Sequence, residues 1–378
     1  MLKRILILTA DAGFGHRKAA EAIQEALIRK HGKKCQVEIA NPLQEPNIPE
    51  LARQIETGYD EMVTDDPTFY QLAYSATDAP VVARLIQDVT TTLLNKAMSA
   101  VVETHTMDAI VTTYPVYTQA AIRAVHTSGR STPVYVVVTD LVNVHNLWFH
   151  REANLTFTPT GNVYRQALDA GLPKSSVHLS GLPVHPDFAD EKRDQAALRK
   201  KLGWEPHVTT ALIVGSARTK ETAGIARLLD RSGLELQIVA VSGNNAEIEQ
   251  ELHATTWKGP VHVYGMVNNM PEMMHAADFV ICKGGGLIVS ESLACGQPLV
   301  LYEALPGQEV GNVKYIVENG AGAWSPGPIG VLTTAYQWLA GDQTELKKCQ
   351  RAARHIGKAR AAYDIAAKVM HQLDTAQT

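Results

Sequence analysis

The feature that most restricts the fold of this 378-residue chain is the alternation of short apolar runs with helical patterns. The runs are rich in β-branched residues and end in turn residues; they lie at 5–9, 37–41, 108–113, 133–140, 155–160, 177–181, 210–216, 236–243, 261–267, 278–286 and 298–303. Near-continuous apolar strands that alternate with amphipathic helices are typical of a parallel sheet with both faces covered. The sequence therefore predicts an α/β fold.

A Pro-rich and charged stretch, residues 181–206, interrupts this rhythm and predicts a connection between two α/β units. A chain of this length has room for two domains with separate cores. We place the domains and the segments between and after them at 1–185, 186–206 (linker), 207–344 and 345–378 (a long C-terminal helix).

Charge and cysteine content exclude several classes of protein. The chain has 35 basic and 39 acidic residues, a net charge of −4, so it lacks the strong positive field of a nucleic-acid-binding protein. The four cysteines show no CxxC spacing, which argues against a disulfide framework and a zinc site. No apolar run reaches the length of about 18 residues that a membrane-spanning helix needs.

Residues 46–103 carry two helical patterns instead of strands. An aromatic joint with Phe69, Tyr70 and Tyr74 connects them. The segment either covers one face of the first sheet or lines an apolar channel for an acceptor or a lipid.

A glycine-containing turn, Gly13-Phe14-Gly15-His16, joins the first strand to the first helix. Such a turn lets a ligand approach the backbone near the positive end of a helix. The dinucleotide pattern GxGxxG is incomplete because Lys18 occupies the third glycine position, so a nicotinamide site is not supported. His16 could take a proton from a hydroxyl group, or it could be bonded by neighbouring backbone.

A second turn, Gly284-Gly285-Gly286, opens a helix directly after the strand that ends in Lys283. Exposed amides at a helix N-terminus can hold a diphosphate without a metal ion. Lys283 could balance the phosphate charge or could be an ordinary lysine at a strand end. Glu291, further along the helix, could reach ribose hydroxyls or could stabilise the helix dipole.

Two further segments carry polar side chains after strands. Gln308, Glu309 and Asn312 follow the run at 298–303, and their carboxylate and amide groups suit several sugar hydroxyls. Asp140 ends the run at 133–140 and could orient or assist His16. The histidines that follow Asp140 do not form the HExxH pattern of a zinc helix.

Together these segments resemble glycosyltransferase family 28, and most closely its diacylglycerol branch of monogalactosyldiacylglycerol synthases and processive diacylglycerol glucosyltransferases. The resemblance lies in ADAGFGHRKAAEAI (10–23), VVTDLVNVHNLWFH (137–150), SGLPVHPDF (180–188) and the long stretch 283–324. It implies a GT-B fold, with two Rossmann-like domains whose parallel sheets face an interdomain cleft. The N-terminal domain would bind the acceptor and the C-terminal domain the UDP-sugar.

The same resemblance implies an inverting transfer that needs neither a metal ion nor a cofactor, with His16 as the base and Asp140 as its helper. The donor-binding residues would be Gly215, Ser216, Arg218, Met266, Val267 (the last two at the uracil), Lys283, Gly284, Gly285, Gly286, Glu291 (at the ribose), Gln308, Glu309 and Asn312. The acceptor-binding residues would be Gly13, Phe14, Gly15 and Tyr114. Two departures from the family pattern stand out: residues 215–220 are bulkier than a glycine-rich turn, and Tyr114 replaces a histidine common in plant members.

We expect an enzyme that moves galactose or glucose from its UDP-sugar to diacylglycerol, at the cytoplasmic face of the cell membrane to which it binds peripherally. The alternatives are an undecaprenyl-linked or sterol acceptor, a UDP-N-acetylglucosamine 2-epimerase, and a nucleotide-sugar-binding regulator without turnover.

Overall fold

The computed structural model describes residues 2–11, 14–44, 77–78, 80–189, 194–216 and 219–375. The chain divides into two compact units. The first contains Met1–Pro186, Pro306–Gln308 and Arg360–Thr378, and the second contains Asp187–Leu305 and Glu309–Ala359. The predicted domain boundary after residue 185 lies one residue from the observed one.

The first unit is built on a parallel sheet with the strand order β2-β1-β3-β4-β5-β6 in its described part. The strands are β1 (Lys3–Leu8), β2 (Cys35–Ala40), β3 (Ala109–Thr112), β4 (Val134–Val137), β5 (Leu155–Thr158) and β6 (Val177–Leu179). Because side chains alternate along a strand, β1 sends Ile5 and Ile7 into one core and Leu6 and Leu8 into another. All six strands coincide with predicted runs.

Helices cover both faces of this sheet. They are α1 (Phe14–His31), α2 (Pro80–Thr104), α3 (Tyr117–Thr127), α4 (Gly161–Asp169) and a last helix of the chain, Ala361–Thr375. Helices α2 and α3 pack in the core around Leu6 and Leu8, while α1 and the last helix pack in the core around Ile5 and Ile7. Covered faces on both sides explain why the strands are apolar throughout.

Within the 46–103 segment, the structure describes residues 77–78 and helix α2. Its C-terminal half is buried through Leu94, Met98 and Val101, so this half does cover one face of the sheet. Its N-terminal half exposes Leu85 and Val89. The predicted first helix and the aromatic joint, Phe69, Tyr70 and Tyr74, lie outside the described residues. In the described part of the chain, no helix combines the length and apolar character needed to cross a membrane.

The second unit also contains a parallel sheet, with the described strand order β12-β11-β10-β7-β8-β9. Its strands are β7 (Thr210–Val214), β8 (Gln237–Val241), β9 (Val261–Tyr264), β10 (Phe279–Lys283), β11 (Leu299–Glu303) and β12 (Gly322–Trp324). The order reverses between β7 and β10. In an open α/β sheet, ligands bind at the carboxyl ends of the strands at such a switch point.

The helices of the second unit are α5 (Gln195–Leu202), α6 (Thr222–Asp230), α7 (Ala246–Ala254), α8 (Met270–Ala276), α9 (Gly286–Ala294), α10 (Gln308–Glu318), α11 (Gly327–Leu339) and α12 (Thr344–Ile356). Helix α5 lies inside the predicted linker, 186–206, and corrects that prediction. The Asp194 side chain caps it by accepting from the amides of Ala196 and Ala197, and Gly203 ends it with φ 74°. Its Arg199 is buried in the second unit, so this stretch is part of a domain.

A buried ion pair fixes α5 to the sheet, and its loss should destabilise the second unit strongly. The Arg199 guanidinium donates to Asp278 Oδ2 (2.7 Å) and to the carbonyls of Ala276, Pro206 and Val208. We expect Asp278→Ala to lower the free energy of unfolding by about 3 kcal/mol or more, because a buried guanidinium loses its counter-charge. Calorimetric unfolding would measure this loss.

The matched control is Lys201→Ala on the same helix, because the Lys201–Glu272 pair has a mostly exposed ammonium group. It should change the unfolding free energy by less than about 1 kcal/mol. Equal losses in Asp278→Ala and Lys201→Ala would contradict this prediction.

The predicted single C-terminal helix, 345–378, is in fact two helices, α12 and α13 (Ala361–Thr375). Gly357, just after α12, has φ −60° and ψ 142°, which are not helical values. A Cβ on Gly357 would lie 2.1 Å from the Leu293 carbonyl oxygen, so close backbone packing requires glycine here. Helix α13 packs in the first unit, where the buried Lys3 ammonium donates to the Leu373 carbonyl (2.9 Å).

Candidate functional site

In the first unit, the candidate residues follow the carboxyl ends of three neighbouring strands. His16 lies in the first turn of α1, which follows β1; Thr113 and Tyr114 follow β3; Thr139 and Asp140 follow β4. The strands β1, β3 and β4 are adjacent, so these residues meet at one edge of the sheet. Gly13 and the side chain of Phe14 lie outside the described residues. A Cβ on Gly15 would meet no heavy atom within 4 Å, so protein packing does not require glycine there.

His16 is held by threonines of two strand ends. Its Nδ1 lies 2.7 Å from Thr139 Oγ1, and the Thr113 hydroxyl donates to the His16 carbonyl at 3.1 Å. The Trp148 ring lies 6.0 Å from the imidazole, centroid to centroid. Among the described residues, none forms a hydrogen bond with Nε2. The ring is therefore fixed through one nitrogen, and the other is available for proton transfer.

Asp140, the predicted helper of His16, acts through its charge. Its Oδ2 accepts a hydrogen bond from Trp148 Nε1 at 2.7 Å, while the bond at the His16 ring is made with Thr139. Among the described residues, the hydrogen-bond partner of the His16 ring is therefore Thr139 and not Asp140. Thr139, the residue directly before Asp140, is not among the residues predicted from the sequence.

Burial lowers the pKa of His16 below its usual value, and the Asp140 charge and the Thr113 carbonyl oppose that effect. An imidazole with a lowered pKa is neutral at pH 7. A neutral imidazole with an available Nε2 can accept a proton from a hydroxyl group.

Tyr114, predicted to bind acceptor, packs against the histidine. Its ring meets the His16 imidazole edge-on with the centroids 5.1 Å apart, and it also meets the Tyr117 ring edge-on at 5.0 Å. Only 6 % of Tyr114 is exposed, which leaves little surface for a ligand. We conclude that Tyr114 supports the His16 ring by packing.

In the second unit, the glycine turn follows β10, at the switch point of the sheet. The Gly284 amide donates to the Glu303 carbonyl (2.8 Å), so this amide belongs to the sheet. Helix α9 begins at Gly286, and its intrahelical bonds begin with the Val289 amide donating to Gly285 (3.1 Å). The amides at 286–288 therefore point out of the helix end, where an anion is favoured. Of the three glycines, Gly284 does not offer a free amide.

Helix α10 packs directly behind this turn. A Cβ on Gly284 would lie 3.1 Å from Val313 Cγ2 and 3.3 Å from the Glu309 carbonyl, so the close approach favours glycine. The buried Asn312 side chain donates to the Gly284 carbonyl at 2.9 Å. Asn312, predicted to contact donor, therefore holds the turn from behind.

Lys283 and Glu309, which the sequence assigned to separate contacts with the donor, are bonded to each other. Lys283 Nζ donates to Glu309 Oε1 at 2.7 Å, and Glu309 Oε2 accepts from the Leu305 amide at 2.9 Å. Burial raises the pKa of the nearby Glu303; Lys283 lowers it, and Glu309 and Glu221 raise it further. The Lys283 ammonium thus lies near the carboxylates of Glu303 and Glu309, beside the glycine turn.

The other predicted donor residues follow strands of the same sheet, at the same carboxyl edge. Gly215 follows β7, where a Cβ would lie 2.8 Å from Thr222 Oγ1, and the Ser216 amide donates to Thr219 Oγ1 at 2.9 Å. Met266 and Val267 follow β9; Met266 is exposed and Val267 half-buried. Glu291 is half-buried in α9. Arg218 and the side chain of Gln308 lie outside the described residues.

Both halves of the chain match models of known protein families. The family model for monogalactosyldiacylglycerol (MGDG) synthase matches residues 16–184, and the model for the glycosyltransferase family 28 C-terminal domain matches residues 212–324. A probable chloroplastic monogalactosyldiacylglycerol synthase of Nicotiana tabacum is 30 % identical over 98 % of this chain and 71 % of its own length. The Spinacia oleracea monogalactosyldiacylglycerol synthase is also 30 % identical, over 98 % of this chain and 72 % of its own length.

The chain belongs to the monogalactosyldiacylglycerol synthase family. It is therefore a glycosyltransferase of family 28, as the sequence motifs indicated. Among solved structures, S. aureus MnaA with UDP aligns with a TM-score of 0.62 at 14 % identity over 99 % of this chain and 97 % of that one. Acinetobacter baumannii MurG aligns with a TM-score of 0.62 at 15 % identity over 98 % and 99 %. These likenesses confirm the predicted GT-B fold.

Proposed function

We propose that this enzyme transfers a hexose from a UDP-sugar to the free hydroxyl of diacylglycerol and inverts the anomeric centre. The names of the relatives support galactose as the hexose and a glycolipid as the product, with glucose as the alternative. The neighbour solved with UDP supports a UDP-linked donor.

The observation that carries the proposal is the His16 imidazole, which is held at Nδ1 by Thr139 and whose pKa is lowered by burial. A lipid hydroxyl is a weak nucleophile until a base takes its proton. The hydroxyl oxygen forms a bond to the anomeric carbon while its proton passes to Nε2. The bond from that carbon to the phosphate oxygen breaks on the opposite side, and UDP leaves with the electron pair.

The departing diphosphate needs charge stabilisation, and the second unit offers it at the switch point. The amides at 286–288 and the Lys283 ammonium lie at this edge of the sheet. Fixed donors aimed at developing negative charge are an effective form of such stabilisation. The proposal calls for no metal ion or cofactor, so product formation should persist in EDTA.

We further propose that the enzyme meets its acceptor at the cytoplasmic surface of the cell membrane, bound peripherally. Diacylglycerol resides in a bilayer, and α2 exposes Val82, Leu85 and Val89 at the spacing of one helix face. A small apolar stripe of this kind can insert at a lipid interface.

The test is product analysis with purified protein and vesicles containing diacylglycerol, with UDP-galactose, UDP-glucose and UDP-N-acetylglucosamine in parallel. A β-linked monogalactosyl lipid from UDP-galactose is the expected product. A glucolipid would change the donor but keep the reaction. If UDP binds and no lipid product forms with any donor, diacylglycerol is not the acceptor, and the proposal fails.

The pH dependence of transfer should reflect the lowered pKa of His16. A base must be neutral to act, and a lowered pKa keeps it neutral to lower pH, so activity should fall only below the usual histidine value of about 6.5. The acid limb of kcat/KM against pH measures this. In Asp140→Asn, the loss of the nearby negative charge should move that limb to lower pH still. A shift to higher pH would contradict the assigned interaction.

A further inference from the structure

The hydroxyl of Thr139 can make only one donated hydrogen bond, and two partners compete for it. Thr139 Oγ1 lies 2.7 Å from His16 Nδ1 and 3.4 Å from the Thr113 carbonyl oxygen. A hydroxyl group has a single proton but can accept further bonds. The direction of the bond to His16 therefore decides which ring nitrogen of the histidine carries a proton.

The groups around Nδ1 favour a proton on that nitrogen. The Thr113 carbonyl, which can only accept, faces both the Thr139 hydroxyl and the His16 ring. If Thr139 donates to this carbonyl, its oxygen is left to accept from Nδ1–H. If Thr139 donated to Nδ1 instead, neither the Thr139 hydroxyl nor Nδ1 could donate a hydrogen bond to the Thr113 carbonyl. An acceptor left without a donor in a buried place is costly.

We propose that Thr139 is a positioning residue for the transfer reaction: its hydroxyl accepts from Nδ1–H of His16 and so keeps Nε2 free of a proton. The tautomer of a histidine is set by the hydrogen bond at its other nitrogen. The inference rests on the proposed role of His16 as base and adds the residue that makes the base competent.

Asp140 does not perform this task, because the hydrogen bond at His16 Nδ1 is made with Thr139, while Asp140 Oδ2 accepts from Trp148 Nε1. Its negative charge nevertheless favours the imidazolium that forms when Nε2 takes the proton. The two neighbouring residues thus have different roles. Thr139 keeps the proton of the neutral ring on Nδ1, and Asp140 stabilises the positive charge of the protonated ring.

The test compares Thr139→Val, which keeps the shape of the side chain and removes the hydroxyl, with Thr139→Ser, which retains it. Thr156→Val is the matched control. Thr156 is a fully buried threonine on the same sheet, and its hydroxyl has no hydrogen-bond partner among the described residues. Each variant is measured for kcat, for KM of the UDP-sugar, and by ¹⁵N NMR of histidine-labelled protein, with the His16 signals assigned by their loss in His16→Gln.

We expect wild-type His16 to carry its proton on Nδ1, and Thr139→Val to move part of the population to Nε2–H. Its kcat should fall roughly 10- to 100-fold, the range seen when a group that orients a metal-bound histidine is removed, with KM little changed. Thr139→Ser and Thr156→Val should both remain within about threefold of wild type.

An Nε2–H signal in the wild type, or wild-type kcat in Thr139→Val, would overturn the proposal. The wild-type spectrum decides the tautomer even if Thr139→Val does not fold. The failure of the proposed function is distinguishable, because the wild type would then form no lipid product while the spectrum would still report the tautomer. Transfer retained by His16→Gln would instead remove His16 from the role of base.

Discussion

Replacing His16 with alanine should abolish glycolipid formation while UDP still binds. His16 is the proposed base at this edge of the first sheet, and general base catalysis contributes roughly 10²- to 10⁴-fold. The predicted donor-binding residues other than Gln308 lie in the second unit, so the affinity for UDP should stay within about twofold. Radiolabelled transfer assays and isothermal titration with UDP would measure the two quantities.

Two further variants make this experiment decisive. His16→Gln retains an amide that can bond Thr139 but cannot take the proton, so it should be as inactive as His16→Ala. His31→Ala removes the histidine at the other end of α1 and should leave transfer unchanged. Substantial transfer by His16→Gln would remove His16 from the role of base.

The second large effect is expected from Lys283→Ala, which should weaken UDP binding roughly 10- to 100-fold. The Lys283 ammonium is bonded to Glu309 and lies near Glu303, so its removal leaves two carboxylates beside the proposed diphosphate site. A hydrogen bond to a charged group contributes about 1.5 to 3 kcal/mol, which corresponds to this range of affinity. Titration with UDP would measure it.

Lys314→Ala is the matched control, because Lys314 also pairs with a glutamate in the second unit but is 72 % exposed at its side chain. It should leave UDP binding unchanged. The double variant Lys283→Ala/Glu309→Gln should recover part of the lost affinity, since it removes the uncompensated carboxylate. If the double variant binds UDP more weakly than Lys283→Ala alone, Glu309 contacts the donor directly.

Most strands could be predicted because each is a local run of apolar residues. The elements that were not predicted depend on contacts between distant parts of the chain. Runs such as 210–216 are apolar because both faces of the sheet are covered. Strand β12 was missed because Gly322–Trp324 is short and lacks β-branched residues; its pairing with β11 is what makes it a strand. The break between α12 and α13 was missed because Gly357 is required by a contact with Leu293, 64 positions away in the chain.

The candidate site was predictable in its parts but not in its connections. His16 and Gly284–Gly286 lie in strand-to-helix turns, which the local pattern reveals. The partner of His16, Thr139, is 123 positions away, and it could be found only by knowing that β1, β3 and β4 are neighbours. The bond between Lys283 and Glu309 likewise depends on how α10 packs behind the glycine turn.

The position of α13 in the first unit has a consequence for the order in which the protein is made. The inner face of α1, with Ile23 and Leu27, shares a core with Ile365, Val369 and Met370 of α13. A ribosome releases the chain from its N-terminus, and domains generally fold as they emerge. The apolar face of α1 in the first unit therefore stays uncovered until the whole second unit and α13 have been synthesised. It is the first to begin folding and the last to be completed.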